Sequence, residues 1–126
     1  MTTDYDIRFA IDPVSAATMN TAELREQFLI DDLFASGAVT WTYTHYDRMA
    51  VGSAVPDGQA LALETIKPTG TANFLDRREL IAANIGAAGT ISVDGRTTRS
   101  ARATCSISAW APGMSGSPAM APNSTC

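Results

Sequence analysis

His45, Asp47 and Arg48 stand almost side by side and form the most chemically suggestive cluster in the chain. An imidazole and a carboxylate can pass a proton between them, and a guanidinium can hold a carboxylate. His45 is the single histidine. It falls in phase with Trp41 and Tyr43, and a histidine so placed is more often a hydrogen-bonded core or interface residue than a catalyst. Asp47 and Arg48 come next, at a turn between strands, where an ion pair is the ordinary reading. Arg77-Arg78-Glu79 offers two more guanidinium groups for a carboxylate, but an extended backbone would send the two arginines to opposite faces. Solvated surface arginines are the ordinary reading of Arg48, Arg77 and Arg78. None of these residues is therefore assigned: catalytic residues none, metal ligands none, substrate-binding residues unknown.

Metal chemistry has little to work with. A zinc site takes three or four ligands, and one imidazole cannot supply them. Cys105 and Cys126, the two cysteines, form neither a CxxC pair nor a disulfide framework.

The elements that must position these groups read as mostly strands. Residues 1 to 19 alternate weakly and include Pro13, which suggests a loop or edge segment. Asn20 with Glu23 three positions on has the form of a capping box, and Leu24 and Phe28 come at a spacing of four, so a short helix is expected over 21 to 29. Asp31-Asp32 opposes the helix dipole and should end it. Val39, Trp41, Tyr43 and His45 alternate with Thr40, Thr42 and Thr44, the period of a half-buried strand. A second strand is expected through Met49, Val51 and Ser53 up to the turn residues Pro56-Asp57-Gly58, and a third over Leu61 to Ile66, ended by Lys67-Pro68-Thr69-Gly70. The run from Glu79 to Gly95 reads as a hairpin whose strands meet around Gly86 to Gly89, with Asp94-Gly95 as a tight turn into a further strand. Short strands at this spacing indicate a sandwich or barrel rather than βαβ units.

The composition then breaks. From Thr98 to Cys126 there is no Asp, Glu, Lys, Leu, Val, Phe or Tyr, and the 13 acidic residues all lie before it. The strand expected after Asp94-Gly95 is missing on this reading. Pro112, Pro118 and Pro122 interrupt the remaining residues, and the tail is expected to be largely disordered. The expected organisation is a domain over 1–97 and a low-complexity tail over 98–126.

A net charge of -4 with one lysine, Lys67, speaks against nucleic acid as the main partner. No stretch reaches the length needed to span a bilayer, and the first residues lack the basic flank and apolar run of a signal peptide. No membrane partner and a cytoplasmic location are the expectations.

The wording of three segments is more specific than any strand pattern. TAELREQFLIDDLF (21 to 34), THYDRMAVG (44 to 52) and FLDRRELIAANIGAAGTISVDG (74 to 95) resemble the N-terminal part of the 5-keto-4-deoxyuronate isomerases, also named 4-deoxy-L-threo-5-hexosulose-uronate ketol-isomerases, over roughly residues 17–95. The resemblance implies an all-β fold, an incomplete cupin-like jelly roll with one short N-terminal helix. It implies interconversion of 5-dehydro-4-deoxy-D-glucuronate and 3-deoxy-D-glycero-2,5-hexodiulosonate during pectin and uronate breakdown, with a small sugar acid as substrate and a homo-oligomer, a hexamer, as the complete enzyme. Such a shift needs a base for the proton and an electrophile for the enediolate charge. The family's zinc sits in its second half on an H-x-H…E…H set that has no counterpart here, so the chain is read as truncated and inactive alone.

A slipped reading frame accounts for the tail. Spelling Thr98 to Thr104 as ACG AGA TCG GCC CGC GCG ACG with one T in front gives TAC GAG ATC GGC CCG CGC GAC, or YEIGPRD, and permitted codons extend this as strand-like text to the end. An authentic low-complexity tail is the alternative. Two further functions compete with the truncated isomerase: a non-catalytic cupin-like module for sugar-acid binding or assembly, and a piece with no stable function.

Overall fold

Val39–Thr44 forms the strand that its alternation predicts, and the rest of the architecture is arranged around it. The computed structural model describes residues 3–93 and 96–102, and the backbone alone at 104–108 and 119–122. In chain order the elements are β1 (Asp4–Arg8), α1 (Pro13–Ala16), α2 (Thr21–Phe28), β2 (Val39–Thr44), β3 (Ala50–Ala54), β4 (Leu61–Ala62), a 3-10 turn (Lys67–Thr69), β5 (Leu80–Asn84), β6 (Gly89–Val93), β7 (Arg96–Ser100), β8 (Thr104–Ser108) and β9 (Ala119–Pro122). The expected all-β class holds, with two short helices beside the strands.

Three sheets form among the described residues. One has the order β1-β2-β3, with β1 parallel and β3 antiparallel to β2; a second runs β4-β9-β6-β7; a third pairs β5 with β8. Residues 4 to 8 are thus the edge strand that the weak alternation allowed. Its Asp4, Asp6 and Arg8 put charge on that edge, which discourages pairing with another chain.

The core centres on Trp41, Tyr43, Leu63, Ile66, Phe74 and Leu75. Trp41 and Phe74 meet with ring centroids 5.0 Å apart. Strand β2 is more deeply covered than a half-buried strand, because Thr42 on its other face is also buried. The cover comes from the segment after α2, whose Leu33 carbonyl accepts hydrogen bonds from Thr40 Oγ1 and Ser53 Oγ, residues paired across β2 and β3. Hydroxyl side chains suit such a face, since a crossing backbone carbonyl needs a donor.

Helix α2 has the capping box that its sequence indicates: Asn20 Oδ1 accepts from the Glu23 amide at 3.0 Å and Glu23 Oε2 from the Asn20 amide at 2.8 Å. It ends at Phe28, before the two aspartates. Helix α1 falls within the segment expected to be loop. Its signals are Asp12, which accepts from the Ser15 amide at 2.9 Å, and Pro13 in the first helical turn, where a missing N–H costs nothing.

Three expectations are corrected. Leu61 to Ile66 contains only a two-residue strand; Leu63 and Ile66 are buried at a spacing of three, which a continuous strand would send to opposite faces. The hairpin between 80–84 and 89–93 does not form, because β5 pairs with β8 while β6 pairs with β7 and β9. The strand thought missing after Asp94-Gly95 is present as β7, antiparallel to β6 with Val93 opposite Arg96. Strand β7 is an edge strand, and its first four residues are exposed, so backbone pairing suffices and no apolar face is needed. The turn residues Asp94 and Gly95 lie outside the described residues, as does most of the stretch expected to be disordered; within that stretch the backbone of 104–108 and 119–122 is in β8 and β9.

Candidate functional site

The parallel strands β1 and β2 both end at one rim of the first sheet, and that rim gathers most of the chemistry-bearing side chains. The His45 amide donates to the Arg8 carbonyl at 2.9 Å, which carries the pairing of β1 and β2 one step past the end of β2. His45 is exposed rather than buried in the core. Its ring stacks on Phe9 with centroids 4.8 Å apart and planes 6° apart, and meets Tyr43 edge-on at 5.4 Å. These contacts hold the imidazole against the Phe9 face and edge-on to the Tyr43 ring.

Asp47 and Arg48 both adopt left-handed backbone conformations, φ 52° and 54°, in the tight turn between β2 and β3. Such a turn fits the strand twist, at a cost for residues that carry a Cβ. No ion pair joins the two among the described residues. Arg48 contributes its carbonyl instead, which accepts from Arg78 Nη1 at 3.3 Å, while the Arg78 guanidinium lies 5.9 Å from the Tyr43 ring centroid. Arg77 and Arg78 are not in a strand, as the face argument assumed. They close a turn ahead of β5, Arg77 with φ 60° and exposed, Arg78 half-buried against the rim. So the structure brings His45, Tyr43 and Arg78 together and leaves Arg77 apart.

Arg8, which no sequence pattern singled out, is the second feature of this rim. Arg8 Nη2 pairs with Asp6 Oδ2 at 3.0 Å, and Arg8 Nε is buried with no hydrogen-bond partner. Beside it lies a cleft of about 160 Å³ lined by Arg8, Gln27, Phe28, Ile30, Thr44 and Tyr46. Tyr46 is fixed at its far end, its hydroxyl accepting from the Ile11 amide at 2.8 Å. Phe28 and Tyr46 face one another with ring centroids 6.5 Å apart. Three separate segments build this cleft, which is why spacing in the sequence did not reveal it. The alternation of Asp6 and Arg8 at the end of a strand was the one local signal.

A resident zinc ion does not fit these residues. Among the described residues no three His, Cys, Asp or Glu side chains come together as a metal would require. Nor is any helix among them long and apolar enough to cross a membrane.

No family model matches the chain. Individual proteins do: it is 58% identical over 96 residues to 4-deoxy-L-threo-5-hexosulose-uronate ketol-isomerase 2 of Rhizobium meliloti, a match covering 76% of this chain and 34% of that protein. Across about three quarters of its length this chain is similar to proteins named as uronate ketol-isomerases. The ketol-isomerase of Cereibacter sphaeroides matches at 57% over 95 residues, 75% of this chain and 35% of the relative. That of Formosa agariphila matches at 47% over 95 residues, 75% and 34% respectively. The chain therefore spans about a third of the length of the ketol-isomerases it matches.

Proposed function

We propose that this chain carries part of the scaffold of a ketol-isomerase acting on 4-deoxy-L-threo-5-hexosulose uronate, and that alone it does not catalyse the reaction. The observation that carries the first half is the 58% identity over three quarters of the chain to a protein of that name. An all-β architecture is consistent with a piece of a cupin-like fold. The second half rests on the chemistry an aldose-ketose shift demands. A base must take a proton from carbon while an electrophile holds the developing enediolate charge. In the family that electrophile is expected to be zinc, and the ligand set the resemblance leads one to seek has no counterpart around His45. Asp47 makes no contact with His45 that would make the two a proton-transfer pair, and the Arg78 guanidinium is engaged with Arg48 and Tyr43.

A slipped frame after Thr97 belongs to the same proposal. It is supported by the abrupt loss of acids, Leu, Val, Phe and Tyr at Thr98 and by the strand-like text that a one-base shift yields. The nucleotide sequence from the Thr97 codon onward tests it: a single-base change should restore YEIGPRD and lead on to coding sequence for the rest of a ketol-isomerase. An intact frame with no such sequence downstream overturns it.

A further inference from the structure

We infer that Asp57-Gly58 is a covalent modification site: it closes to a succinimide, reopens as isoaspartate, and thereby becomes a methyl acceptor for an S-adenosylmethionine-dependent carboxyl methyltransferase. Ring closure needs a side-chain carboxyl free to approach the next amide nitrogen and a following residue that does not crowd it. Both conditions are met after β3. Residues 57–59 form a bend outside every helix and strand, and all three are exposed. The Gly58 amide makes no hydrogen bond among the described residues, so its nitrogen is not held by a ladder. Gly58 has φ 77° and no atom within 4 Å of where a Cβ would stand, so nothing blocks the approach. The Asp57 carboxylate has one partner among the described residues, accepting from Ser36 Oγ at 3.3 Å.

In the first step the Gly58 nitrogen attacks Asp57 Cγ; an N–Cγ bond forms, and a carboxyl oxygen leaves as water with the amide proton. Water then opens the ring. Cleavage at Cγ restores aspartate, whereas cleavage at the former main-chain carbonyl leaves the chain running through Cγ, with an added backbone methylene and a free carboxylate on Cα. One water is lost and one regained. The other described aspartates are less suited to this chemistry. Asp4 and Asp6 lie in β1, and Asp12 precedes Pro13, which has no amide proton to lose. Asp31, Asp32, Asp47 and Asp76 are each followed by a residue whose side chain crowds the ring. Asp94-Gly95 is the same dipeptide and lies outside the described residues.

The experiment holds the whole chain at neutral pH, samples it over days and cuts it with trypsin. Electron-transfer fragmentation of the peptide 49–77 tells isoaspartate from aspartate at each position. The same peptide, purified, is then offered labelled S-adenosylmethionine and an isoaspartyl carboxyl methyltransferase. Isoaspartate should build up at 57 at a rate within severalfold of that in a synthetic peptide of residues 49–77, and much faster than at Asp76 in the same peptide. Label should appear in proportion to it. Ser36→Ala should speed the conversion severalfold, because it frees the carboxylate, and Asp57→Glu should abolish it, because the larger glutamyl ring closes slowly. Asp57 remaining aspartate in the whole chain while the synthetic peptide converts would overturn the assignment. So would equal conversion at Asp76, slower conversion in Ser36→Ala, or a converted peptide that takes up no label.

Discussion

The Trp41 indole lies flat across Gly52, its cross-strand neighbour in the β2–β3 pair: a Cβ added to Gly52 would stand 2.3 Å from Trp41 Cε3 and 2.6 Å from Cδ2. No real Cβ makes such a contact, and the obstructing atoms belong to a rigid ring packed against Phe74. Gly52→Ala must therefore push the indole out of the core or bend β3 away. A loss of about 1–3 kcal/mol is expected. Chemical denaturation with near-UV circular dichroism checks this, since the aromatic signal should weaken in step with stability; an alanine variant as stable as the parent would mean the ring does not lie there.

Leu63 tests the core from the other side. It is 2% exposed and sits among Trp41, Tyr43 and Phe74 although its backbone belongs to no strand. Leu63→Ala should cost about 2–5 kcal/mol, the range for a core truncation that leaves a cavity. A cost near that of a surface leucine such as Leu29 would place residue 63 outside the core.

The capping box of α2 should act as a unit. Asn20→Ala removes the acceptor for the Glu23 amide and should destabilise by about 1 kcal/mol. Glu23→Ala removes the reciprocal bond. If the two groups are coupled as the geometry has them, the double variant should lose less than the sum of the singles in a double-mutant cycle.

Asp12 gives a pH-dependent signature at α1. The Ser15 hydroxyl, then the Ser15 amide, bond its carboxylate and hold its pKa below the ordinary 3.8. A depressed carboxylate pKa contributes stability that is present above the unfolded value and is lost as pH falls through the folded one. The contribution of this exposed group should thus fade only below the ordinary carboxylate range. An NMR titration of Asp12 should show its midpoint rising toward 3.8 in Ser15→Ala; an unchanged midpoint would remove the hydroxyl as the main cause.

Local signals were legible and pairing partners were not. Asn20 and Glu23 announce α2 because both ends of a capping box lie within one helical turn, and Val39 to Thr44 announces β2 because alternation and β-branching agree. The partner of a strand is a non-local property: Gly86 to Gly89 looks like a hairpin turn, yet the strands it separates enter different sheets. Thr97, Thr98 and Arg99 carry no apolar signal at all, so β7 could be found only through its ladder with β6. At the rim, His45, Asp47 and Arg48 were visible as a cluster in sequence, but their turn points them to different neighbours. Arg8 and Tyr46 escaped notice because the cleft joins segments far apart in the chain.

On the proposed function, the chain carries isomerase scaffold but does not turn over substrate by itself. The direct measurement is isomerisation of 4-deoxy-L-threo-5-hexosulose uronate by the purified chain supplied with zinc, alongside a chain continued in the restored frame through a full-length ketol-isomerase. No turnover above background is expected from the first and sustained turnover from the second. Sustained turnover by the 126-residue chain alone would contradict it.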